Sequence, residues 1–212
     1  MRSRSLTGSI IAGPRLKKAR QLNASLIFLD ETGFLTVPYA KSTWAMKAQT
    51  PFLKHRLRHR LKVTVLGSLT LSPTRRRCGL YAEFLPGRSV SVDDLIRHLG
   101  RLRRTLGTPL VVVLDNLHQH KSKKLNAWCA KVSDVHLEYL PPYAPELNPI
   151  EPAWNHGKYV TAAGRVVDTA EELTTLAEEA ITAAYKQHLL RGFIRSTGLP
   201  LKFDLGKRKW LS

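Results

Sequence analysis

Two uninterrupted apolar runs predict central strands of this protein. Residues 26–29 (LIFL) lead directly into Asp30, and residues 110–114 (LVVVL) lead into Asp115. A continuous apolar run, in contrast to an alternating one, is typical of a strand that is buried on both faces. Both runs therefore predict strands inside a sheet that is covered on each side, and each strand closes on an acid.

Three further segments have the pattern of strands. Residues 62–70 and 78–85 flank the turn sequence SPTRRR, which predicts an antiparallel hairpin. Residues 135–140 (VHLEYL) predict another strand after the second apolar run.

Helices are predicted between the later strands. Ser91 and Asp94 have the spacing of a capping box, and Gly107 ends the helix that follows. Its apolar side comprises Leu95, Leu99, Leu102 and Leu106. A short helix is predicted around residues 123–131, and another begins at Ile150.

The last long helix has the clearest apolar face in the chain. We predict that Asp168 and Glu171 cap its beginning and that Gly192 follows its end. The predicted buried face comprises Leu173, Leu176, Ala177, Ala180, Ile181 and Ala184, and the predicted terminal cations are Lys186, His188 and Arg191.

This order of elements predicts an α/β fold. Three antiparallel strands come first, and parallel strands are then added through crossover helices, giving a mixed sheet with flanking helices. We expect one domain over residues 25–212 and a basic extension or linker over residues 1–24.

The charge of the chain favours a polyanionic partner. Its 212 residues include 34 Lys and Arg against 16 Asp and Glu, a net charge of +18, and the sequence pI is about 10.4. DNA or RNA is the first expectation and an anionic membrane the second. No apolar segment approaches the roughly 18 residues that span a bilayer. Cys78 and Cys129 support neither a disulfide scaffold nor a thiolate zinc site, and they fit a reducing, cytoplasmic setting.

The densest group of cations alternates with other residues just before the second strand. Period-two alternation would place this basic ribbon on one face of a strand; it comprises Lys54, Arg56, Arg58, Arg60 and Lys62. Two interpretations stay open, a surface that follows a phosphate backbone and the solvated, charged face of an edge strand.

Acidic residues are the candidates for chemistry. In open α/β sheets, ligands bind at the carboxyl ends of parallel strands, where Asp30 and Asp115 are predicted. Each could instead cap the turn that follows it. Asn148, Pro149, Ile150 and Glu151 read as the first positions of a helix, so Glu151 is equally explained as a capping residue or as a third metal ligand.

Three neighbouring carboxylates would repel one another without a cation. Oxygen ligands of this kind suit Mg²⁺ or Mn²⁺ rather than zinc. Two such ions about 4 Å apart can catalyse in-line phosphoryl transfer. Together with the basic surface, this chemistry predicts a nuclease or strand transferase.

Three sequence blocks stand out along the chain, FLDETGF (28–34), VVVLDNLHQHKSKK (111–124) and LEYLPPYAPELNPIEPAWNHGK (137–158). In this order they resemble the DDE transposases of the IS-six-thirty and mariner superfamily. The resemblance implies an RNase H-like fold, Mg²⁺ or Mn²⁺ as cofactor, and Asp30, Asp115 and Glu151 as the metal-binding triad. It also implies hydrolysis at transposon ends and joining of the freed 3′ hydroxyl to target DNA, by a homodimer on double-stranded DNA.

The resemblance also suggests roles for neighbouring residues. Asn116 and His120 match family positions beside the second acid. They could contact metal-bound water or the scissile phosphate, or they could form local turn hydrogen bonds, and the two interpretations are equally good. Asn148 is interpreted as the cap that orients Glu151, and Trp154 as core packing rather than DNA stacking. Glu31 is expected to point away from Asp30. Further phosphate contacts, or simply solvated cations, are Lys121, Lys123, Lys124 and Lys158.

The chain departs from complete family members before Asp30. Fewer than thirty residues precede that position, too few for the family's helix-turn-helix region, so we expect a separate or fused partner to recognise transposon ends. Within the same chemistry, an RNase H-type or Holliday-junction nuclease is the nearest alternative. An inactive basic DNA-binding protein is the alternative from another class. We expect no membrane partner. We expect a cytoplasmic protein that associates with the nucleoid when it is bound to DNA.

Overall fold

A five-stranded mixed sheet forms the centre of the protein. The computed structural model describes residues 17–39, 47, 60–142 and 144–198. Along the sheet the strands follow the order β3-β2-β1-β4-β5. They are β1 (Ser25–Leu35), β2 (Lys62–Leu71), β3 (Cys78–Pro86), β4 (Leu110–Leu114) and β5 (Val135–Tyr139). β1, β2 and β3 pair antiparallel, whereas β4 and β5 continue parallel to β1, which confirms the predicted architecture.

Helices cover both faces of this sheet. Residues 17–21 are helical before β1, and the later helices are α1 (Val92–Leu106), α2 (Lys123–Val132), α3 (Glu151–His156), α4 (Ala170–Ala184) and α5 (Gln187–Ser196). Short 3₁₀ turns occupy His118–Lys121 and Pro145–Leu147, and a π-helical turn, Gly157–Thr161, continues α3. Within the described residues, no helix is both long and apolar enough to span a bilayer.

Alternation along β1 divides the core into two layers. Leu26 and Phe28 belong to the cluster that contains residues of α3, α4 and α5. Ile27 and Leu29 belong to the cluster formed with α1 and α2. Because successive side chains of a strand point to opposite faces, the continuous apolar run supplies both layers.

The first acid lies inside its strand and not at its end, contrary to the prediction. β1 continues to Leu35 because residues up to that point pair with β2. Its parallel pairing with β4 covers only residues 25–28. Asp30 therefore lies two residues beyond the parallel part of β1, where the two strands no longer pair.

The predicted last helix is two helices. α4 has Thr169 as its N-cap, in a capping box with Glu172, one residue later than the predicted pair Asp168 and Glu171. Its buried face is as predicted, but Tyr185 leaves the helical conformation with ψ of 47°. The predicted terminal cations therefore do not end α4. Lys186 is the N-cap of α5, and His188, Arg191 and Gly192 lie within α5.

The predicted basic ribbon is not a continuous strand at its described end. β2 begins at Lys62, and Arg60 precedes it. The amide of Leu61 donates to Thr36 Oγ1 at 3.2 Å instead of to a neighbouring strand. Lys54, Arg56 and Arg58 lie outside the described residues.

Candidate active site

The three predicted acids line one cavity. Asp30 comes from β1, Asp115 follows β4, and Glu151 is the first residue of α3. The cavity holds about 380 Å³. Its remaining wall consists of Asn116, Leu117, Leu140, Pro141, Pro142, Ala144 and Asn148. Three distant stretches of the chain thus contribute carboxylates to the same space.

Asp30 is the most buried of the three acids. It is 8% exposed, and its Oδ2 accepts a hydrogen bond of 3.1 Å from Trp154 Nε1. Burial, followed by the negative charge of Glu151, raises the pKa of the Asp30 carboxyl to about 7. A cation beside these carboxylates would favour the charged form of Asp30 and so lower its pKa.

Trp154 reaches Asp30 because β2 has a glycine next to that acid. Gly67 is the direct partner of Asp30 across the antiparallel pair. A Cβ atom at Gly67 would lie 2.1 Å from Trp154 Cη2 and 3.2 Å from Ile150 Cδ1. Trp154 is 2% exposed, so the prediction that it packs in the core is confirmed, and it also holds an oxygen of Asp30.

Asp115 is half exposed and is fixed at one oxygen. Its Oδ1 accepts a bond of 3.0 Å from the amide of Leu117 and lies 2.6 Å from His120 Nδ1. Among the described residues, no hydrogen-bond donor approaches Oδ2. One carboxylate oxygen is therefore held by the protein, and the other is left for a ligand.

His120 is enclosed between two carboxylates. It is 0% exposed, and its Nε2 lies 3.1 Å from Glu31 Oε1, which also accepts a 3.0 Å bond from Gln119 Nε2. Burial by itself would lower the pKa of His120, but the hydrogen bonds and charges of Glu31 and Asp115 outweigh it and raise that pKa. Glu31 thus contacts His120 and Gln119, whereas Asp30 contacts Trp154, so the two neighbouring acids of β1 have different partners.

Glu151 begins α3 and does not close the predicted capping box. The N-cap position is Ile150, and no hydrogen bond to the Glu151 carboxylate is formed within the described part of the chain. Asn148 precedes the helix in a tight turn, where its carbonyl accepts from the Glu151 amide at 3.2 Å and its side chain from the Ile150 amide at 3.5 Å. The turn orients Glu151 towards the cavity and leaves its carboxylate available.

The two predicted asparagines also line the cavity. Asn116 donates from Nδ2 to the carbonyl of Leu140 at 2.6 Å, which ties the loop after β4 to the end of β5. Asn148 is buried. Both side chains thus shape the walls around the acids.

The described cations of the predicted DNA surface have different environments. Lys62 is exposed and lines a second cavity of about 490 Å³ that shares Asp30 and Asp115 with the first. Lys124 pairs with Asp93 at 2.5 Å, and Lys121 lies 5.6 Å from the Tyr139 ring centre. Exposed positions are Arg60, Lys62, Lys121, Lys123 and Lys124.

Among the described members of this predicted set, Lys158 is the half-buried one. Its Nζ donates to Thr32 Oγ1 at 2.5 Å and faces the ring of Phe34. Burial lowers the pKa of its ammonium group, while the charges of Glu151 and Asp30 oppose that shift. The Lys158 ammonium group therefore interacts electrostatically with the acids of the cavity, Glu151 and Asp30.

The acids share a cavity without forming a closed cluster. Within residues 17–39, 60–142 and 144–198, no three His, Cys, Asp or Glu side chains stand together as a ready metal site. The donor set nonetheless fits a hard divalent cation, because it consists of carboxylate oxygens with one free oxygen on Asp115 and an unbonded carboxylate on Glu151.

Sequence reasoning missed two contacts at this site. It did not predict that Trp154 donates to Asp30, although Trp154 stands one helical turn after Glu151. It also expected only that Glu31 points away from Asp30, and it did not predict that Glu31 approaches His120. Both contacts join residues that are far apart in the chain, so no local pattern could have revealed them.

Solved structures show the same fold. The catalytic domain of Mos1 mariner transposase aligns with a TM-score of 0.58 and 14% identity over 95% of this chain and 97% of that domain. The Mos1 mariner paired-end complex with Mn aligns with a TM-score of 0.64 and 18% identity, covering 94% of this chain and 62% of that one. The Mos1 paired-end complex with the left transposon end aligns with a TM-score of 0.64 and 17% identity, covering 93% of this chain and 60% of that one. The chain thus spans about 60% of the Mos1 chains in those complexes.

No curated protein sequence matches this chain. The sequence profile of a family described as DDE superfamily endonuclease, however, matches residues 25–174, which is more than half of the chain. The match includes all three acids of the cavity. This protein therefore belongs to the DDE superfamily endonuclease family.

Proposed function

We propose that this chain is the catalytic domain of a transposase. It cuts a phosphodiester bond at transposon ends and joins the freed 3′ hydroxyl to target DNA. Residues 25–212 form the catalytic domain in this proposal, and residues 1–24 form a basic extension. The observation that carries the proposal is that Asp30, Asp115 and Glu151 line one cavity in a member of an endonuclease family.

Asp30, Asp115 and Glu151 would hold Mg²⁺ or Mn²⁺, with two ions as the expected number. Bound there, the ions would activate the attacking water or hydroxyl and stabilise the leaving oxygen of the phosphodiester. The two ions fit a site whose described ligands are carboxylates rather than thiolates or imidazoles. Similar Mos1 structures are complexes with Mn and with Mg, which supports the choice of ion.

The residues around the acids would fix the geometry of the reaction. Trp154 holds Oδ2 of Asp30, and the turn at Asn148 directs Glu151 into the cavity. The apolar wall that includes Leu140 and Pro141 would exclude water from one side of the scissile phosphate. Asp30 would thereby be held by a side-chain contact, and Glu151 by the backbone turn that precedes it, before DNA arrives.

Double-stranded DNA, as transposon end and as target, is the proposed substrate. A net charge of +18 supports it, and so does Lys62, which lines the second cavity beside Asp30 and Asp115. Lys158 would contact a phosphate close to the acids. The proposed phosphate contacts are Lys54, Arg56, Arg58, Arg60, Lys62, Lys121, Lys123, Lys124 and Lys158.

A homodimer on DNA and a helix-turn-helix partner complete the proposal. The similar Mos1 structures are named paired-end complexes, in which a transposase is assembled with transposon ends. The chain spans about 60% of those Mos1 chains, and we assign recognition of the transposon ends to a separate or fused helix-turn-helix partner as part of the proposal.

Nicking of plasmid DNA tests the metal centre. We expect nicking that requires Mg²⁺ or Mn²⁺ and that falls by at least about 100-fold in Asp30→Ala, Asp115→Ala and Glu151→Ala, since loss of a ligand exceeds the 10–100-fold effect of losing a ligand's partner. Glu178→Ala removes an exposed acid of α4 and serves as the control. Nicking by all three variants at the parental rate would refute the proposal.

Product analysis tests the second step. Incubation with a DNA end that carries a free 3′ hydroxyl should give joined products with target DNA. Cleavage without joining would assign the chain to a nuclease of the RNase H type. DNA binding without metal-dependent cleavage would assign it to inactive DNA-binding proteins.

A further inference from the structure

Asp115 is connected to the neighbouring strand β1 through one buried ring. His120 Nδ1 lies 2.6 Å from Asp115 Oδ1, and Nε2 lies 3.1 Å from Glu31 Oε1. Glu31 immediately follows Asp30 in β1. The ring therefore ties the strand that carries one acid of the cavity to the loop that carries another.

The backbone and neighbours of His120 hold the ring in this place. The His120 amide donates to the carbonyl of Leu117 at 3.0 Å, and Tyr139 Oη donates to the His120 carbonyl at 2.9 Å. Gln119 Nε2 donates to the same Glu31 oxygen at 3.0 Å. The 3₁₀ turn His118–Lys121 thus directs two successive side chains at Glu31.

Local turn formation does not explain this arrangement. The turn after β4 already has its own bond, from the Leu117 amide to Asp115 Oδ1. Glu31 is 89 residues away in the chain from His120, and its other oxygen, Oε2, is buried with no hydrogen-bond partner within the described residues. A buried carboxylate oxygen without a partner costs folding free energy, so stability alone does not account for Glu31 at this position.

We propose that His120 and Glu31 are positioning residues that fix the Asp115 carboxylate for metal binding. Held at Oδ1, Asp115 presents Oδ2 towards the cavity, and the bridge sets the separation between β1 and the loop after β4. This role rests on the proposed function, because it assumes that Asp115 is a metal ligand. Hydrogen-bond partners of metal ligands contribute about 10–100-fold to metal affinity or activity.

Calorimetric titration of the DNA-free full chain with Mn²⁺ tests the role at constant pH. We expect His120→Ala to weaken Mn²⁺ binding by about 10–100-fold and Glu31→Gln to weaken it by a smaller factor. His120→Asn places an amide near the position of Nδ1 and should recover part of the affinity. His118→Ala removes an exposed histidine of the same 3₁₀ turn and should bind Mn²⁺ like the parent.

Nicking at increasing Mn²⁺ supplies a second readout. A positioning role predicts that His120→Asn and Glu31→Gln regain nicking at high Mn²⁺, whereas Asp115→Ala does not. If His120→Ala fails to fold in thermal unfolding, His120→Asn and Glu31→Gln decide the question.

The outcomes separate this role from the proposed function. Mn²⁺ binding by Asp115→Ala at the parental affinity would overturn the metal site itself. Loss of binding in Asp115→Ala, combined with parental affinity in His120→Asn, Glu31→Gln and any folded His120→Ala, would overturn the positioning role alone.

Discussion

Gly67 and Trp154 show how a single hydrogen atom in place of a side chain makes room at the acid cavity. The indole ring lies where a Cβ on residue 67 would be, and its Nε1 holds Asp30. Glycine inside a strand weakens the strand, and it often marks a site where another group approaches the backbone closely. Here the approaching group is the ring that fixes a proposed metal ligand.

Gly67→Ala should therefore reduce both stability and nicking. The added Cβ would force the Trp154 ring away from Asp30, and overpacking of this kind costs about 1–3 kcal/mol. Chemical denaturation measures the free energy of unfolding, and the plasmid assay measures nicking.

Gly100→Ala is the matched control for that substitution. Gly100 lies within α1, where a Cβ would meet its nearest neighbour only at 3.7 Å. Alanine there should stabilise the protein by about 0.5–1 kcal/mol because it lowers the entropy of the unfolded chain. Equal effects of the two substitutions on stability would contradict this account of Gly67.

Helix α1 depends on one carboxylate at its beginning. Asp94 accepts hydrogen bonds from the amide and hydroxyl of Ser91 and is paired with Arg88 and Arg97. The Arg88 hydrogen bond, together with those from Ser91 and Arg97, holds the pKa of Asp94 well below its usual range. The capping box that the sequence predicts is thus also a charged cluster.

This cluster should make stability depend on pH. Asp94 stays charged in the folded protein at pH values where an unfolded Asp, with a pKa of about 3.9, takes up a proton. Its contribution is complete above that value and is lost as the pH falls below it, so the free energy of unfolding falls with pH. Asp94→Asn should be less stable than the parent at about pH 7, and the difference should shrink towards about pH 3.

The neighbouring exposed acid provides the comparison. Asp93→Asn removes a carboxylate that is largely exposed, so its difference from the parent should be small at both pH values. Denaturant unfolding at the two pH values measures all three proteins. A difference between Asp94→Asn and the parent that does not change with pH would refute the proposed role of Asp94.

Local patterns predicted the beginning of a helix correctly where only one pair of residues had the spacing of a capping box. Ser91 and Asp94 mark the beginning of α1 because no neighbouring pair has the same spacing. For α4, both Asp168 with Glu171 and Thr169 with Glu172 have that spacing, and the sequence alone did not distinguish them. The structure selects the second pair, whose two reciprocal hydrogen bonds are formed.

The acids of the cavity were predicted more readily than their partners. Asp30 and Asp115 stand out because each follows a fully apolar run of residues, and Glu151 because of the motif around it. The Trp154 bond to Asp30 depends on which β2 residue faces that acid, which the register of a sheet decides. Such pairing between distant segments leaves no trace in the local sequence.

At the scale of the whole molecule, the charge of the chain should appear as salt-dependent DNA binding. Each neutralised phosphate releases counterions, so the logarithm of the binding constant falls linearly with that of salt concentration. Lys123 stands at the exposed beginning of α2, in the segment that follows Asp115. Lys131 stands exposed in the last turn of the same helix.

Lys123→Ala should lower the magnitude of the salt slope by about 1, as expected for the loss of one phosphate contact. Lys131→Ala should leave the slope unchanged. Fluorescence anisotropy with a labelled duplex measures both across a range of salt concentrations. Equal slopes for the two variants would place the DNA path away from Lys123.

A crystal of the protein soaked in Mn²⁺ tests the metal centre most directly, because anomalous scattering locates the ion without reference to activity. We expect one or two Mn²⁺ peaks in the cavity, bonded to carboxylate oxygens of Asp30 and Asp115 and with Glu151 as a further ligand. Peaks bound elsewhere, or an empty cavity at a Mn²⁺ concentration that supports nicking, would contradict the account.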